Sequence, residues 1–236
     1  MCLCGGPKNE WAFVEVLKFE GMYSEFVNYM SQFHSLEHLE GRMERYLTRA
    51  SFPKKHVIVE KGSVCNYAYF LERGMMRAYY KEGDTEVTTW VLHEKQFVTA
   101  IQSFYSRSPS LETVETLEPT TLVMVHYDDM MKFCYVYHDF ALCMFKMSQH
   151  FNVMRDMRNF LLRAMKAPER YEALCKQDPE LMKRAPLRVI ASYLDISQET
   201  LSRIRKQKSQ DGICLPNVDD SDCDQEMVNG QNAESE

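Results

Sequence analysis

The sequence predicts an α+β fold: N-terminal helices and an antiparallel β-roll of jelly-roll or cupin-like kind, a long helix, and a C-terminal all-α helix-turn-helix domain. Three observations predict it. Residues 56–127 are rich in Val, Tyr, Phe, Thr and Trp, with turn residues every eight to ten positions. From Asp128 nearly forty residues run without Gly or Pro, with apolar side chains at helical spacing. Close to the C-terminus, two short amphipathic stretches meet across an Asp, a residue that enters left-handed backbone geometry at modest cost.

Taken in order, "YSEFVNYMSQF" places Phe26, Tyr29, Met30 and Phe33 on one face, and "SLEHLEGRMERYL" does the same with Leu36, Leu39, Met43 and Leu47. Short helices therefore open the chain. Strands are expected after Phe52-Pro53, through "HVIVEKGSVCNYAYFLERGMMRAYYKEGDTEVTTWVLHEKQFVTAI". Lys61-Gly62, Arg73-Gly74 and Gly83-Asp84 supply its turns. A further pair of strands, "LETVETLEPTTLVMVHY", breaks at Glu118-Pro119. About seven or eight short strands with no helix between them suggest a small barrel, roll or sandwich.

The long helical stretch stays apolar through Phe140, Met144, Met147, Phe151, Met154, Met157 and Leu161. Such a stripe covers the roll and something else, which is either a second copy of the chain or more of its own domain. Ala167 to Lys208 then reads as three short helices, with Pro168 in a first turn and Asp178-Pro179 starting a further short piece. The expected domains are a sensor roll at 23–135, the long helix at 136–166, a helix-turn-helix domain at 167–210 and an acidic tail at 211–236 that is too poor in apolar residues to fold alone.

"PLRVIASYLDISQETLSRIRKQ" supplies helix, tight turn, helix. Ala191 is small enough for a close crossing, and Ile190, Leu194, Ile196, Leu201 and Ile204 provide the inner faces. Asp195 takes the left-handed position, and Ser197 caps the second helix. Gln198, Glu199, Ser202 and Arg203 then face outward at the N-terminal end of that helix, the end that enters a major groove. Gln suits adenine, Glu accepts from the amino group of cytosine, and Arg pairs with guanine through two hydrogen bonds. Arg188, Ser197, Thr200, Arg205, Lys206 and Lys208 lie better for phosphates.

Charge is distributed to match. The 236 residues carry a net charge of −6, yet residues 155–208 hold thirteen basic and seven acidic side chains. The tail from Asp211 holds eight acidic residues and no Lys or Arg. The basic character is thus confined to the segment containing the helix pair, where it suits double-stranded DNA as partner. No apolar run is long enough to span a bilayer, and "MCLCGGPKNEWAFVEV" lacks the basic and apolar blocks of a secretion signal, so a cytoplasmic protein without membrane association is expected. Eight cysteines show no ligand-pair spacing beyond Cys2 and Cys4, and read as reduced and structural. No metal, no cofactor and no enzymatic activity are expected. His93-Glu94 and His126 are too sparse for a cupin-type metal site, and lone histidines are more often structural than ligands.

A helical N-terminus, a roll containing "VEKGSVCNYAYFLERGMMRAYY", a long helix and a C-terminal "IASYLDISQETLSRIRK" together resemble the Crp/Fnr family of bacterial transcription regulators, in its Bacteroidetes-type branch. The resemblance runs from about Tyr23 to Gln207. It implies a cyclic-nucleotide-binding-like roll, a homodimer formed along the helix at residues 138–165, base reading by Gln198, Glu199 and Arg203, and RNA polymerase as a further partner. The family's cyclic-AMP binders carry Gly-Glu and an Arg in the roll. Here Thr99-Ala100 and Ser110-Leu111 stand at those places, with Arg107 three residues early. Without the Arg a cyclic phosphate has no bidentate partner, and without the Glu the ribose hydroxyl has no acceptor. Thr99, Ala100, Ser110 and Leu111 thus mark the expected place of an effector pocket, in a roll that serves as an effector or interaction domain and does not bind cyclic AMP. The alternative to a DNA-binding regulator is a small-molecule-binding or protein-interaction module whose helix-turn-helix no longer binds DNA.

Overall fold

The computed structural model describes residues 24–210. The acidic tail, together with Cys2 and Cys4, lies outside the described residues. The chain divides into two compact units. One takes the residues up to Met76 together with Leu92–Gln149; the other takes Arg77–Val91 and the residues from His150 onward.

In the first unit, α1 (Ser24–Ser31) is followed by two 3₁₀ turns around α2 (Glu40–Met43), and then by β1 (Leu47–Phe52), β2 (Val57–Val59) and β3 (Tyr67–Arg73). β6 (Gln96–Val98), α3 (Ile101–Ser106), β7 (Thr113–Thr116), β8 (Thr120–His126) and α4 (Tyr127–Val136) complete the roll. One sheet has the order β1-β8-β3-β6. Its antiparallel register sets Leu47 opposite Val125, Tyr69 opposite Met124 and Phe70 opposite Phe97. β3 slips by one residue between Leu71 and Arg73, a bulge just before the Gly74 turn. Val57 and Val59 pair with β7, and the Leu117 amide donates to the Met75 carbonyl, extending that ladder to the first residues of β4 (Met75–Glu82).

β3 is buried along four consecutive residues rather than on alternate ones. Elements cover both of its faces: on one, the ring of Phe26 meets Phe70 edge-on at 5.6 Å and Tyr29 lies 5.4 Å from it. Phe70, Leu71, Met75, Met76 and Leu122 are fully buried, and form the centre of this core.

Four expectations need correction here. Strand structure begins at Leu47, before Pro53, so Leu47 packs from a strand and not from the last turn of a helix. A helix does interrupt the strands: α3 is six residues long, too short to show a period, and its Phe and Tyr read as strand formers. The long helical stretch breaks at Tyr137, where the backbone turns extended (φ −117°, ψ 107°) before α5 (His138–Ala164). No Gly or Pro marks that break. At the break the Tyr137 ring sits 5.0 Å from Phe133, one turn back in α4 (Tyr127–Val136), and carries the Arg42 guanidinium, 95 residues away in sequence, at 5.5 Å. Finally, the block after Ala164 holds four helices rather than three: α6 (Ala167–Gln177), α7 (Pro179–Arg184), α8 (Leu187–Tyr193) and α9 (Gln198–Gln210).

The apolar stripe of α5 divides along its length. Phe140, Met144 and Met147 are buried, Phe151 and Leu161 are intermediate, and Met154 and Met157 are exposed. In the second unit β4 continues through the Gly83-Asp84 turn into β5 (Thr85–His93), with Gly83 at φ +61°. The helices α6 to α9 pack with it, and their core holds Tyr171, Leu181, Val189, Ile190, Ala191 and Leu201.

Candidate nucleic-acid interface

The pair α8 and α9 is built from local rules. Pro186 precedes α8, where its missing N–H costs nothing. Leu194 ends the helix, Asp195 takes φ +55°, and the Ile196 amide returns to the Ala191 carbonyl at 3.0 Å. The Ser197 hydroxyl then accepts from the Thr200 amide at 3.2 Å, capping α9. Ile190, Ala191, Leu194, Leu201 and Ile204 are buried and Ile196 is intermediate. The expected inner faces are therefore where the sequence placed them.

On the outer face, Gln198, Glu199, Ser202, Arg203 and Lys206 are exposed, with Ser197 beside them and Thr200 half-buried. The Ser197 hydroxyl, the backbone and the Arg203 charge hold the Glu199 carboxyl below its usual range, so it presents an ionised acceptor. Among the six expected phosphate contacts, the hydroxyls of Ser197 and Thr200 bond to each other at 3.1 Å, and three cations have protein partners. Lys208 forms an ion pair with Glu172. Arg205 is half-buried and bonds to the phenol of Tyr171; burial raises that phenol's pKa, Cys175 adds to the rise, and Arg205 offsets part of it. Arg188 donates to the Glu86 carboxylate at 3.1 Å.

Two further arginines went unnoticed in the sequence. Arg158 lies 3.6 Å above the Tyr193 ring and donates to the Tyr193 carbonyl at 2.9 Å. Arg170 donates to the carbonyls of Leu162, Met165 and Asp195, each at 3.2 Å, joining the end of α5 to the turn between α8 and α9. Nothing in their spacing marks them, because their partners come from separate elements.

In the roll, the four expected effector residues do not converge. Thr99 and Ala100 are buried, and the Thr99 hydroxyl donates to the Tyr67 carbonyl at 3.0 Å. Ser110 is buried within its own loop, where its hydroxyl donates to the Glu112 carbonyl at 2.7 Å. Leu111 points into solvent, 65% exposed. Arg107 is also engaged: it donates to the Cys65 and Phe104 carbonyls and to the Asn66 side chain, and stacks 4.2 Å over Tyr127. Among the described residues no group of His, Cys, Asp and Glu side chains is placed to hold a metal ion, and no helix is long and apolar enough to cross a membrane.

Residues 49–136 match the cyclic nucleotide-binding domain family. No curated protein sequence matches the chain. Among solved structures, FixK2 from Bradyrhizobium japonicum aligns with a TM-score of 0.63 at 20% identity, covering 71% of this chain and 86% of that one. CLP of Xanthomonas campestris, described as a c-di-GMP responsive global regulator, aligns at 0.60 and 14% identity over 75% of this chain and 93% of its own. A CooA mutant from Carboxydothermus hydrogenoformans aligns at 0.57 and 16% identity, covering 76% and 82% respectively. At these identities the likeness is one of fold.

Proposed function

We propose that the chain is a sequence-specific DNA-binding transcription regulator of Crp/Fnr type, acting as a homodimer in the cytoplasm and without catalytic activity. One observation carries the reading: α9 buries Leu201 and Ile204 while its N-terminal end displays Gln198, Glu199, Ser202 and Arg203. That arrangement suits a recognition helix in a helix-turn-helix, with two copies set about one turn of DNA (roughly 34 Å) apart on a pseudo-palindromic site. The likeness of fold to a protein described as a global regulator supports it. Lys206 contributes phosphate affinity, with Ser197 and Thr200 beside it. RNA polymerase is a further partner if the regulator acts as an activator.

Arg203→Ala is expected to weaken binding to the cognate site by about 1–3 kcal/mol and to relax base preference at one position. A fluorescence titration against genomic fragments checks this. If no fragment binds more tightly than random DNA, and Arg203→Ala changes nothing, the reading fails.

The roll of this regulator serves as an effector or interaction domain that does not take cyclic AMP, a reading supported by Arg107, which is spent on protein acceptors, and by Thr99-Ala100 in place of the ribose-binding pair. A ligand at a hundredfold its Kd would raise stability by about 2.7 kcal/mol. Cyclic AMP in a thermal melt is expected to give no shift, and a saturable rise would overturn this assignment. A second reading, an interaction module that does not bind DNA, is favoured by the internal partners of Arg188, Arg205 and Lys208.

A further inference from the structure

Ser192 and Arg188, one turn apart on α8, are both held by the β4–β5 hairpin. The Ser192 hydroxyl donates to the Glu86 carbonyl at 2.9 Å and accepts from the Thr88 amide at 2.7 Å. Among the described residues β5 has a strand neighbour on one side only, β4, so on its other side these backbone groups would otherwise stand open. Ser192 thus satisfies the edge of a strand as a further strand would. Arg188, four residues earlier, reaches the Glu86 carboxylate at 3.1 Å. In a helix-turn-helix the first helix crosses the DNA backbone, and an arginine near its N-terminus meets phosphate there.

We infer that the hairpin is a latch on the DNA-binding helix pair: the Glu86 carboxylate occupies Arg188 in place of a DNA phosphate, and hairpin release frees Arg188 for that phosphate. The inference rests on the DNA-binding reading above. Opening the latch leaves no charge stranded. Glu86 also pairs with Arg77, which is 2% exposed and donates to it at 2.5 Å, so the carboxylate is neutralised whether or not Arg188 is present. Burial alone would raise the Glu86 pKa, but the hydrogen bond and charge of Arg77, with help from Arg188, keep it low and the group ionised. The closed state is also imperfect, because the Thr88 hydroxyl is buried without a hydrogen-bond partner. A contact that carries this cost is open to competition from DNA.

The test uses Glu86→Gln, which keeps an acceptor for Arg77 but removes the charge that holds Arg188. It is expected to bind DNA about tenfold more tightly than the wild type, with a log–log salt slope steeper by about one. The double variant Glu86→Gln/Arg188→Ala should lose both gains. Ser192→Ala, which leaves Arg77 and Glu86 in place, should shift affinity in the same direction as Glu86→Gln and decides the matter if that variant melts early. If the wild type binds DNA and the released variants bind equally or more weakly, the hairpin is a strut of the DNA-binding form and the latch is wrong, while the regulator reading stands. If neither the wild type nor any released variant binds DNA, both ideas fall.

Discussion

Gly74→Ala is expected to remove a large share of the stability of the roll. Gly74 sits at φ +105°, where an L side chain is strained in any surroundings. A methyl group there would also lie 2.5 Å from the Thr120 hydroxyl, 2.7 Å from the Thr120 α-carbon and 2.8 Å from the Pro119 carbonyl oxygen. Two of those three atoms are backbone, so they cannot swing away as the end of a flexible side chain would. The Gly74 amide is fixed as well, donating to Glu94 at 2.9 Å, and Thr120 is held by its bond to the Glu118 carbonyl at 2.7 Å. Backbone strain of about 1–3 kcal/mol adds to overpacking of about 1–3 kcal/mol. The total is a large share of the roughly 5–15 kcal/mol that holds a typical domain together. Urea unfolding checks it, and a midpoint within error of the wild type would show that the turn relaxes more freely than its neighbours suggest.

If the proposed homodimer forms along α5, Met157→Glu combined with Phe160→Glu is expected to convert it to folded monomer. Val153, Met157 and Phe160, spaced four and three residues apart, share one face of α5 and are 59%, 52% and 64% exposed in the single chain. Apolar side chains so exposed in a row cost little to replace in the monomer. In a helix pair they are the buried seam, and two carboxylates there have no partner. A buried unpaired charge costs roughly 3–5 kcal/mol, and about 4 kcal/mol is a thousandfold in the dimer constant. Sedimentation should show a single chain with an unchanged far-ultraviolet spectrum, and affinity for a two-half-site operator should fall with it. A variant that stays dimeric places the interface elsewhere and removes α5 from the reading.

Features governed by neighbours in sequence were legible; features governed by neighbours in space were not. Gly62, Gly74 and Gly83 all adopt positive φ where turn chemistry put them, and Asp195 and Ser197 play their assigned parts in the α8–α9 turn. At the Tyr137 break the contact hidden from the sequence is with Arg42, 95 residues away, and α3 is too short for its period to register. The candidate interface divides in the same way. Local periodicity showed that Arg203 and Lys206 face outward. It gave no sign that Arg188 meets Glu86 across 102 residues, or that Arg205 and Lys208 turn back onto α6.

Asp195 is exposed; its carbonyl accepts from Arg170, its amide returns to Ser192, and its carboxylate charge acts on the Arg158 guanidinium. The information at this position is therefore a dihedral angle first and a negative charge second. Residue identity there can drift among the few types that accept the angle, and the display of Gln198, Glu199 and Arg203 is inherited unchanged.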